Sequence, residues 1–384
     1  MKIRAGVFFG GKSVEHEVSV ISAIQAINNL NKDKYEAVPI YITRDMEFYT
    51  GELVGKIEQY RDVPALLKKS VRVSPVKNGS RTYLIEWGNR GPKKKVYDYI
   101  DVALPVVHGT NVEDGALQGF LRTIGVPFAG CDVCASAVGM DKYIQKLLFR
   151  EAGIPVLPCL RFYVNENRGM ICDKAQEVIG LPAVVKPANL GSSVGIKIAR
   201  TPSDLKEAIE YAFDFTPAIL IEKAVGNLRE INCAVIGDYE EARASECEEP
   251  VMADEILSYE DKYVSGGKGM SGLKRLLPAP IPGELRERVR DYAVKAFKAL
   301  DCSGVARIDF LMDGRTGEVW INEINTIPGS LSYYLWEPTG LKYTQMLDEL
   351  VSLALKRERE RANLSTAIET GILANFSGGS KGKL

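Results

Sequence analysis

Residues 306–313, ARIDFLMD, and residues 318–325, EVWINEIN, are joined through Asp313-Gly314-Arg315-Thr316-Gly317. Both stretches mix apolar and polar side chains at strand spacing, and the glycine-bearing joint makes them a hairpin. Alternation puts Arg307 and Asp309 on one face, and Glu323 and Asn325 share a face on the second strand. With the turn centred near Arg315, Asp309 should lie roughly opposite Ile321 and diagonal to Glu323. Ile308, Phe310, Ile321 and Ile324 take the other face as core. Asp309, Glu323 and Asn325 then converge as three hard oxygen donors without an imidazole. That set suits Mg²⁺ held between protein and substrate phosphates. The alternative, an exposed polar sheet face, fits less well with so apolar a reverse side.

Upstream, residues 181–188, LPAVVKPA, read as a strand that delivers Lys186 next to Asn189-Leu190-Gly191-Ser192-Ser193-Val194-Gly195. Glycines let backbone N–H groups approach phosphates, and the serines add donors. A lysine leaving an apolar strand supplies a point charge for the same oxyanions. The spacing of a Walker A loop is absent, and by itself this is equally a loop with a satisfied lysine. Lys142, at the start of a helix that Asp141 should cap, is ambiguous in the same way. At the N-terminal end, Gly10-Gly11-Lys12-Ser13-Val14-Glu15 follows a first strand over residues 2–9. The dinucleotide fingerprint G-x-G-x-x-G is missing, and no acid ends the second strand, 35–43, which argues against a nicotinamide fold.

Outward from these sites, strand, glycine turn, helix and strand make a doubly wound α/β beginning. Ser13 is expected to cap a helix with Val18, Ile21, Ala23 and Ile24 on its apolar side. Asn78-Gly79 marks a hairpin over residues 71–87. Residues 98–109, DYIDVALPVVHG, form a strand ending at His108. Further strands are expected at 217–223 and 231–236, and amphipathic helices at 283–300 and about 343–360. The polar, glycine-rich run 255–277 is long for a structureless loop, as lids and binding loops are. Expected divisions are 1–135, 136–226 and 227–358, with 359–384 a flexible tail.

The chain has 384 residues, consistent with two to three domains at about 150 residues each. Lys plus Arg total 49 and Asp plus Glu 50, a net charge of −1, which argues against a phosphate-backbone binder. No apolar run reaches the roughly 20 residues of a membrane helix. The two histidines, His16 and His108, exclude a three-imidazole zinc site. Seven scattered cysteines, with one unpaired Cys131-x-x-Cys134, suit a reduced, cytoplasmic protein.

Taken together, residues 8–20 (FFGGKSVEHEVSV), 108–119 (HGTNVEDGALQG), 139–148 (GMDKYIQKLL), 184–196 (VVKPANLGSSVGI), 259–263 (YEDKY) and 322–329 (NEINTIPG) resemble the D-alanine–D-alanine ligases of the ATP-grasp superfamily. The similarity runs from about residue 3 to 356. It implies a three-domain ATP-grasp fold: a doubly wound α/β first domain, then two α+β parts that clasp ATP. It implies ATP-dependent joining of two D-alanines through an acyl phosphate, for peptidoglycan precursor supply, by a cytoplasmic homodimer. No nucleic acid or membrane partner is implied. By resemblance, Glu15 pairs with the first substrate's ammonium and His108 lies near its carboxylate. Lys142 and Lys186 hold ATP phosphates, with the Ser192-Ser193 loop over them. Glu222, Lys223 and Val225 form the adenine hinge, and Glu230 meets the ribose. Asp309, Glu323 and Asn325 ligate two Mg²⁺ ions, with Mn²⁺ the alternative. Arg307 and the Gly329 N–H stabilise the tetrahedral intermediate. Lys262 reaches the transferred phosphoryl, and Tyr263 with Ser192 and Glu15 ties the lid. Tyr334 and Leu335 fall at the second substrate's carboxylate, where the family carries a serine at the Tyr334 position. Ser332 is another donor nearby, and D-alanine, D-serine or another D-amino acid are the alternatives for this subsite.

Overall fold

The computed structural model describes residues 2–79, 81–88, 95–251 and 275–365. Among these, the strands form three sheets. The first unit comprises β1 (Ile3–Gly10), α1 (His16–Asn29), β2 (Tyr35–Ile42), β3 (Phe48–Thr50), α2 (Val63–Lys69), β4 (Val71–Asn78), β5 (Arg81–Glu86), β6 (Val96–Ile100), β7 (Val102–Pro105) and α3 (Ala116–Thr123). Its sheet order is β6-β5-β4-β3-β2-β1-β7, with β1 parallel to both β2 and β7. The carboxyl ends of β1 and β7 thus lie side by side, where open α/β sheets bind ligands. The Asn78-Gly79 hairpin is present as β4–β5 and extends the antiparallel side of the sheet.

Gly10 makes the turn after β1 at φ +93°, and a Cβ there would stand 2.2 Å from the Ile42 carbonyl oxygen. Only glycine fits this position. Ser13 does not cap α1 as expected. Its Oγ accepts from the N–H of Glu15 (3.0 Å), the N-cap residue itself, and Glu15 makes no side-chain cap. The expected apolar face also needs correcting. Ala23 and Ile24 are buried, but Ile21 is 45% exposed.

The second unit carries α4 (Val133–Met140), α5 (Lys142–Glu151), β8 (Cys159–Tyr163), α6 (Arg168–Val178), β9 (Ala183–Pro187), β10 (Lys197–Ala199), α7 (Pro202–Phe213) and β11 (Ala218–Lys223). Its antiparallel order is β10-β9-β11-β8. Asp141 caps α5 as expected, accepting from Tyr143 N and Ile144 N, both at 3.0 Å.

The third unit has β12 (Leu228–Gly237), β13 (Ala242–Pro250), β14 (Arg275–Leu276), α8 (Gly283–Ala299), β15 (Gly304–Asp313), β16 (Val319–Asn325) and α9 (Tyr343–Ala362), in sheet order β14-β13-β12-β15-β16. α8 buries Leu285, Val289, Ala293, Ala296 and Phe297 against one face of this sheet, where Ile308, Phe310, Ile321 and Ile324 lie. The opposite face is left for chemistry. α9 joins the first unit instead. Met346, Leu347, Leu350 and Val351 share a core with Phe8, Val107 and Phe128. The helix runs to Ala362, past the expected end of the third division.

Candidate active site

The hairpin register differs from the expected one. Asp309 lies directly opposite Glu323, and Arg307 opposite Asn325, while Phe310 faces Ile321. One residue, Asn322, is therefore extra on β16, a β-bulge that re-aims the side chains after it. β12 extends the row: Asn232 faces Asp309 on one side and Glu248 of β13 on the other. Glu248, Asn232, Asp309 and Glu323 thus form a line of oxygen-bearing side chains across four strands.

Arg307 is clasped by Asp309 through two bonds, Nε–Oδ1 and Nη2–Oδ2, both 2.7 Å. Burial opposes its charge, but Asp309 outweighs burial and holds the guanidinium well above its usual pKa. Asn325 Nδ2 donates to Asp309 Oδ2 at 3.0 Å.

Lysines reach this face from the second unit. Lys142 Nζ donates to the Leu190 carbonyl (2.6 Å) and lies 3.1 Å from Glu323 Oε2. Lys186, on β9, pairs with Glu222 and donates to Asn322 Oδ1 at 3.0 Å. Lys146, fully buried on α5, stands 3.1 Å from the other Glu222 oxygen. Burial alone would raise the Glu222 pKa, but the two ammonium groups bring it down to about 2. Glu222 is therefore a buried counter-ion for two lysines. Lys223 Nζ turns to the Leu181 carbonyl at 3.2 Å, and Val225 is half-buried just beyond β11. Glu230 lines the cavity from β12.

The first unit closes one side. Ser192 Oγ donates to Glu15 Oε1. Two glycines make room for this carboxylate: a Cβ on Gly109 or on Gly191 would stand 2.9 Å from Glu15 Oε2. Ser192 and Ser193 hold left-handed backbone, φ 56° and 59°. His108 Nδ1 lies 2.8 Å from the Ile327 carbonyl and Nε2 3.1 Å from Ser22 Oγ, which accepts from Ser330 N at 2.9 Å. The Ile327 carbonyl requires a proton on Nδ1, and burial lowers the ring's pKa, which favours the neutral form. Glu113 accepts from Gly109 N and Ile327 N, both 2.9 Å. Burial, reinforced by Glu15, pushes its carboxyl up to about 8.

Glu15, His108, Lys142, Ser192, Glu230, Arg307, Asp309, Glu323, Asn325, Gly329 and Tyr334 all line one cavity. Leu335 does not; it is fully buried in the first unit's core, as is its neighbour Leu331. Ser332 is likewise wholly buried and does not line the cavity. Lys262 and Tyr263 lie outside the described residues. Glu113, Asn232, Glu248 and Arg275 line the cavity too, and none was singled out from sequence. Asn232 was within reach of that reading, since it shares a face with Glu230 two residues away.

Two largely buried lysines and an oxygen-rich sheet face, held between two antiparallel sheets, are the arrangement of an ATP-grasp fold. A family model described as "D-ala D-ala ligase N-terminus" matches residues 4–131, and one described as "D-ala D-ala ligase C-terminus" matches residues 148–352. The chain belongs to the D-alanine–D-alanine ligase family. It is 37% identical over 371 residues to the D-alanine–D-alanine ligase of Thermosipho melanesiensis, covering 97% of this chain and 98% of that protein. It is 42% identical over 371 residues to the one from Thermoanaerobacter sp. strain X514, covering 94% and 98%. Among solved structures, the VanG D-Ala:D-Ser ligase from Enterococcus faecalis superimposes with a TM-score of 0.78 at 32% identity, over 92% of this chain and 100% of that one. The D-alanine–D-alanine ligase from Coxiella burnetii gives 0.77 at 28%, over 94% and 96%.

Proposed function

We propose that this chain joins two D-alanines into D-alanyl-D-alanine, driven by ATP. One observation carries the reading: Glu15 and His108 line the same cavity as Lys142, Arg307, Asp309 and Glu323. An amino-acid site thereby meets a phosphate site. Glu15 receives the ammonium of the first D-alanine, and its carboxylate faces Arg307 and Gly329. A carboxylate is a poor acyl donor, so one of its oxygens attacks the γ-phosphorus of ATP and the bond to ADP breaks. Lys142 and Lys186 neutralise the oxyanions during this transfer. The acyl phosphate is then attacked by the neutral amine of the second D-alanine. Negative charge develops on the former carbonyl oxygen, where Arg307 and the Gly329 N–H receive it. The bond to phosphate breaks, the departing phosphate takes the proton that the amine gives up, and the peptide bond remains.

Asp309, Glu323 and Asn325 fit a divalent cation: two carboxylates face each other in register with an amide beside them. When bound, Mg²⁺ there would neutralise phosphate oxygens; Mn²⁺ offers the same donor preference. The three divisions of the chain are read as 1–135 for the first substrate, and 136–226 and 227–358 around the nucleotide. We read the protein as cytoplasmic and dimeric, acting on small molecules and not on nucleic acid or membrane. Among the described residues, no helix is long and apolar enough to cross a membrane.

Phosphate release from ATP and Mg²⁺, measured across D-alanine, D-serine, D-lactate and L-alanine with product masses, tests the reading. D-alanyl-D-alanine as the main product is expected. A mixed dipeptide with D-alanine only in first position would favour the D-alanine–D-serine type of ligase, a reading that Tyr334 in place of the family serine keeps open.

A further inference from the structure

One corner of the cavity has a chemistry that the steps above leave unused. Glu248 is 3% exposed, and its Oε1 accepts from the Tyr334 hydroxyl at 2.9 Å and from Asn232 Nδ2 at 3.2 Å. Arg275 holds its guanidinium carbon 4.0 Å from the centroid of the Tyr334 ring, with Nη1 3.6 Å from Glu248 Oε2. All four residues line the cavity together with Arg307.

A phenol has one proton to give. Tyr334 gives it to a carboxylate, so its oxygen offers a substrate only lone pairs. A substrate carboxylate placed against Tyr334 would meet that oxygen and the Glu248 charge, and both would repel it. The serine hydroxyl expected here by resemblance is thus replaced by a group that does not do its work. Among the described residues, Arg275 is the cation that stacks on Tyr334 at this corner, with Arg307 assigned to the reacting carbonyl. A guanidinium matches the fork geometry of a carboxylate and stacks on aromatic faces, which an ammonium does poorly. The Tyr334 ring fixes its plane from one side, and Glu248 anchors one edge.

We propose that Arg275 receives the carboxylate of the second D-amino acid, with Tyr334 and Glu248 as its positioning residues. This rests on the ligase reading above. It makes the second subsite select for the α-carboxylate of the nucleophile by a cation from β14.

The test compares D-alanine with D-alaninamide as the second substrate, with D-alanine in the first position and products identified by mass. D-alaninamide keeps the amine and side chain but lacks the negative charge. In Arg275→Met, the KM for the second D-alanine should rise roughly 10- to 100-fold, the scale of a charge-assisted bond. Its kcat/KM for D-alaninamide should change by less than about threefold, and the KM values for ATP and for the first D-alanine should hold. Arg275→Lys should recover part of the loss. Tyr334→Phe keeps the ring under the guanidinium and should raise the second KM by only about fivefold. Should Arg275→Met fail to fold, the other two variants still decide: the lysine must weaken discrimination against the amide more than the phenylalanine does. Equal losses for D-alanine and D-alaninamide, or discrimination lost in Tyr334→Phe alone, would overturn the proposal. Wild-type protein without D-alanine-dependent ADP formation would instead overturn the ligase reading, and this one with it.

Discussion

Glu222 shows how one buried residue can serve a site without lining it. Two lysines face it in a water-poor setting. Removing one partner of such a cluster leaves uncompensated buried charge, at a cost of about 3–5 kcal/mol. Glu222→Gln should therefore lower the free energy of unfolding by that order in a denaturant titration, beyond any loss of turnover. The same residue sets an acid limit. Its folded pKa of about 2 lies below its usual value of 4.5, so its contribution is complete above pH 4.5 and lost as pH falls toward 2. Glu113 works in the opposite sense. A carboxyl raised from 4.5 to about 8 favours the protonated folded state, so its contribution is complete below pH 4.5 and lost as pH rises through 8. Stability measured from pH 5 to 8 should fall less steeply in Glu113→Gln, by up to about 1.4 kcal/mol per pH unit. An unchanged slope would count against a protonated Glu113.

At the scale of elements, the bulge in β16 does the work of aiming. Were Asn322 paired regularly in the ladder, Glu323 and Asn325 would exchange faces with Ile324, because strand side chains have a period of two. Deleting Asn322 should leave Ile321, Glu323, Ile324 and Asn325 in simple alternation, so both polar groups keep the cavity face while Lys186 loses its bond to Asn322 Oδ1; turnover should drop and Tm should fall only modestly. A sharp fall in Tm would mean that the deletion shifts the hairpin's register instead. The sequence carried a sign of this bulge. Ile321 and Ile324 both belong to the core face, yet they are three residues apart, which regular alternation forbids. With that parity, Asp309 meets Glu323 directly and not diagonally. β1 was legible as a continuously apolar buried run, and β2, the β4–β5 hairpin, α8 and α9 as elements with one apolar and one polar side. β13, residues 242–250, ARASECEEP, was not. Its small and charged residues show no apolar face, and it is a strand because β12 and β14 pair with it on either side. Glu248 therefore stayed hidden, since its place depends on register across strands far apart in sequence. Asp309 and Glu323 were legible as converging strand carboxylates, and the structure brings them face to face; Lys142 and Lys186 were ambiguous on local signal alone, and only the motifs around them made them candidates.

The whole molecule is tied together at its C-terminal helix. Arg357 donates to the carbonyls of Gly130 (2.8 Å) and Phe128 (2.5 Å), and stacks 4.4 Å from the Phe128 ring. Arg361 pairs with Asp132, and Lys34 of the first unit with Asp348 at 2.7 Å. The exposed lysine pair is worth little. Arg357 is different, because it satisfies two carbonyls that would otherwise be left short of partners as the helix covers them. Arg357→Met should cost about 2–4 kcal/mol of stability, on the scale of two charge-assisted bonds, and Lys34→Ala about 0–1 kcal/mol. Equal effects in paired melts would show that helix docking rests on its apolar face alone.

Among the described residues, the cations proposed to meet phosphate or oxyanion each have an internal partner: Lys142 has Glu323, Lys186 has Glu222, and Arg307 has Asp309. On the proposed reading, nucleotide binding would be an exchange of partners. If Lys142 turned to a phosphate, Glu323 would lose its counter-charge and become a better ligand for a divalent ion, and the ion in turn would free the lysine. The two affinities would then be thermodynamically linked, each ligand tightening the other by the same factor. Such a site would discriminate against nucleotide arriving without its metal, and so resist futile occupancy by the wrong charge state.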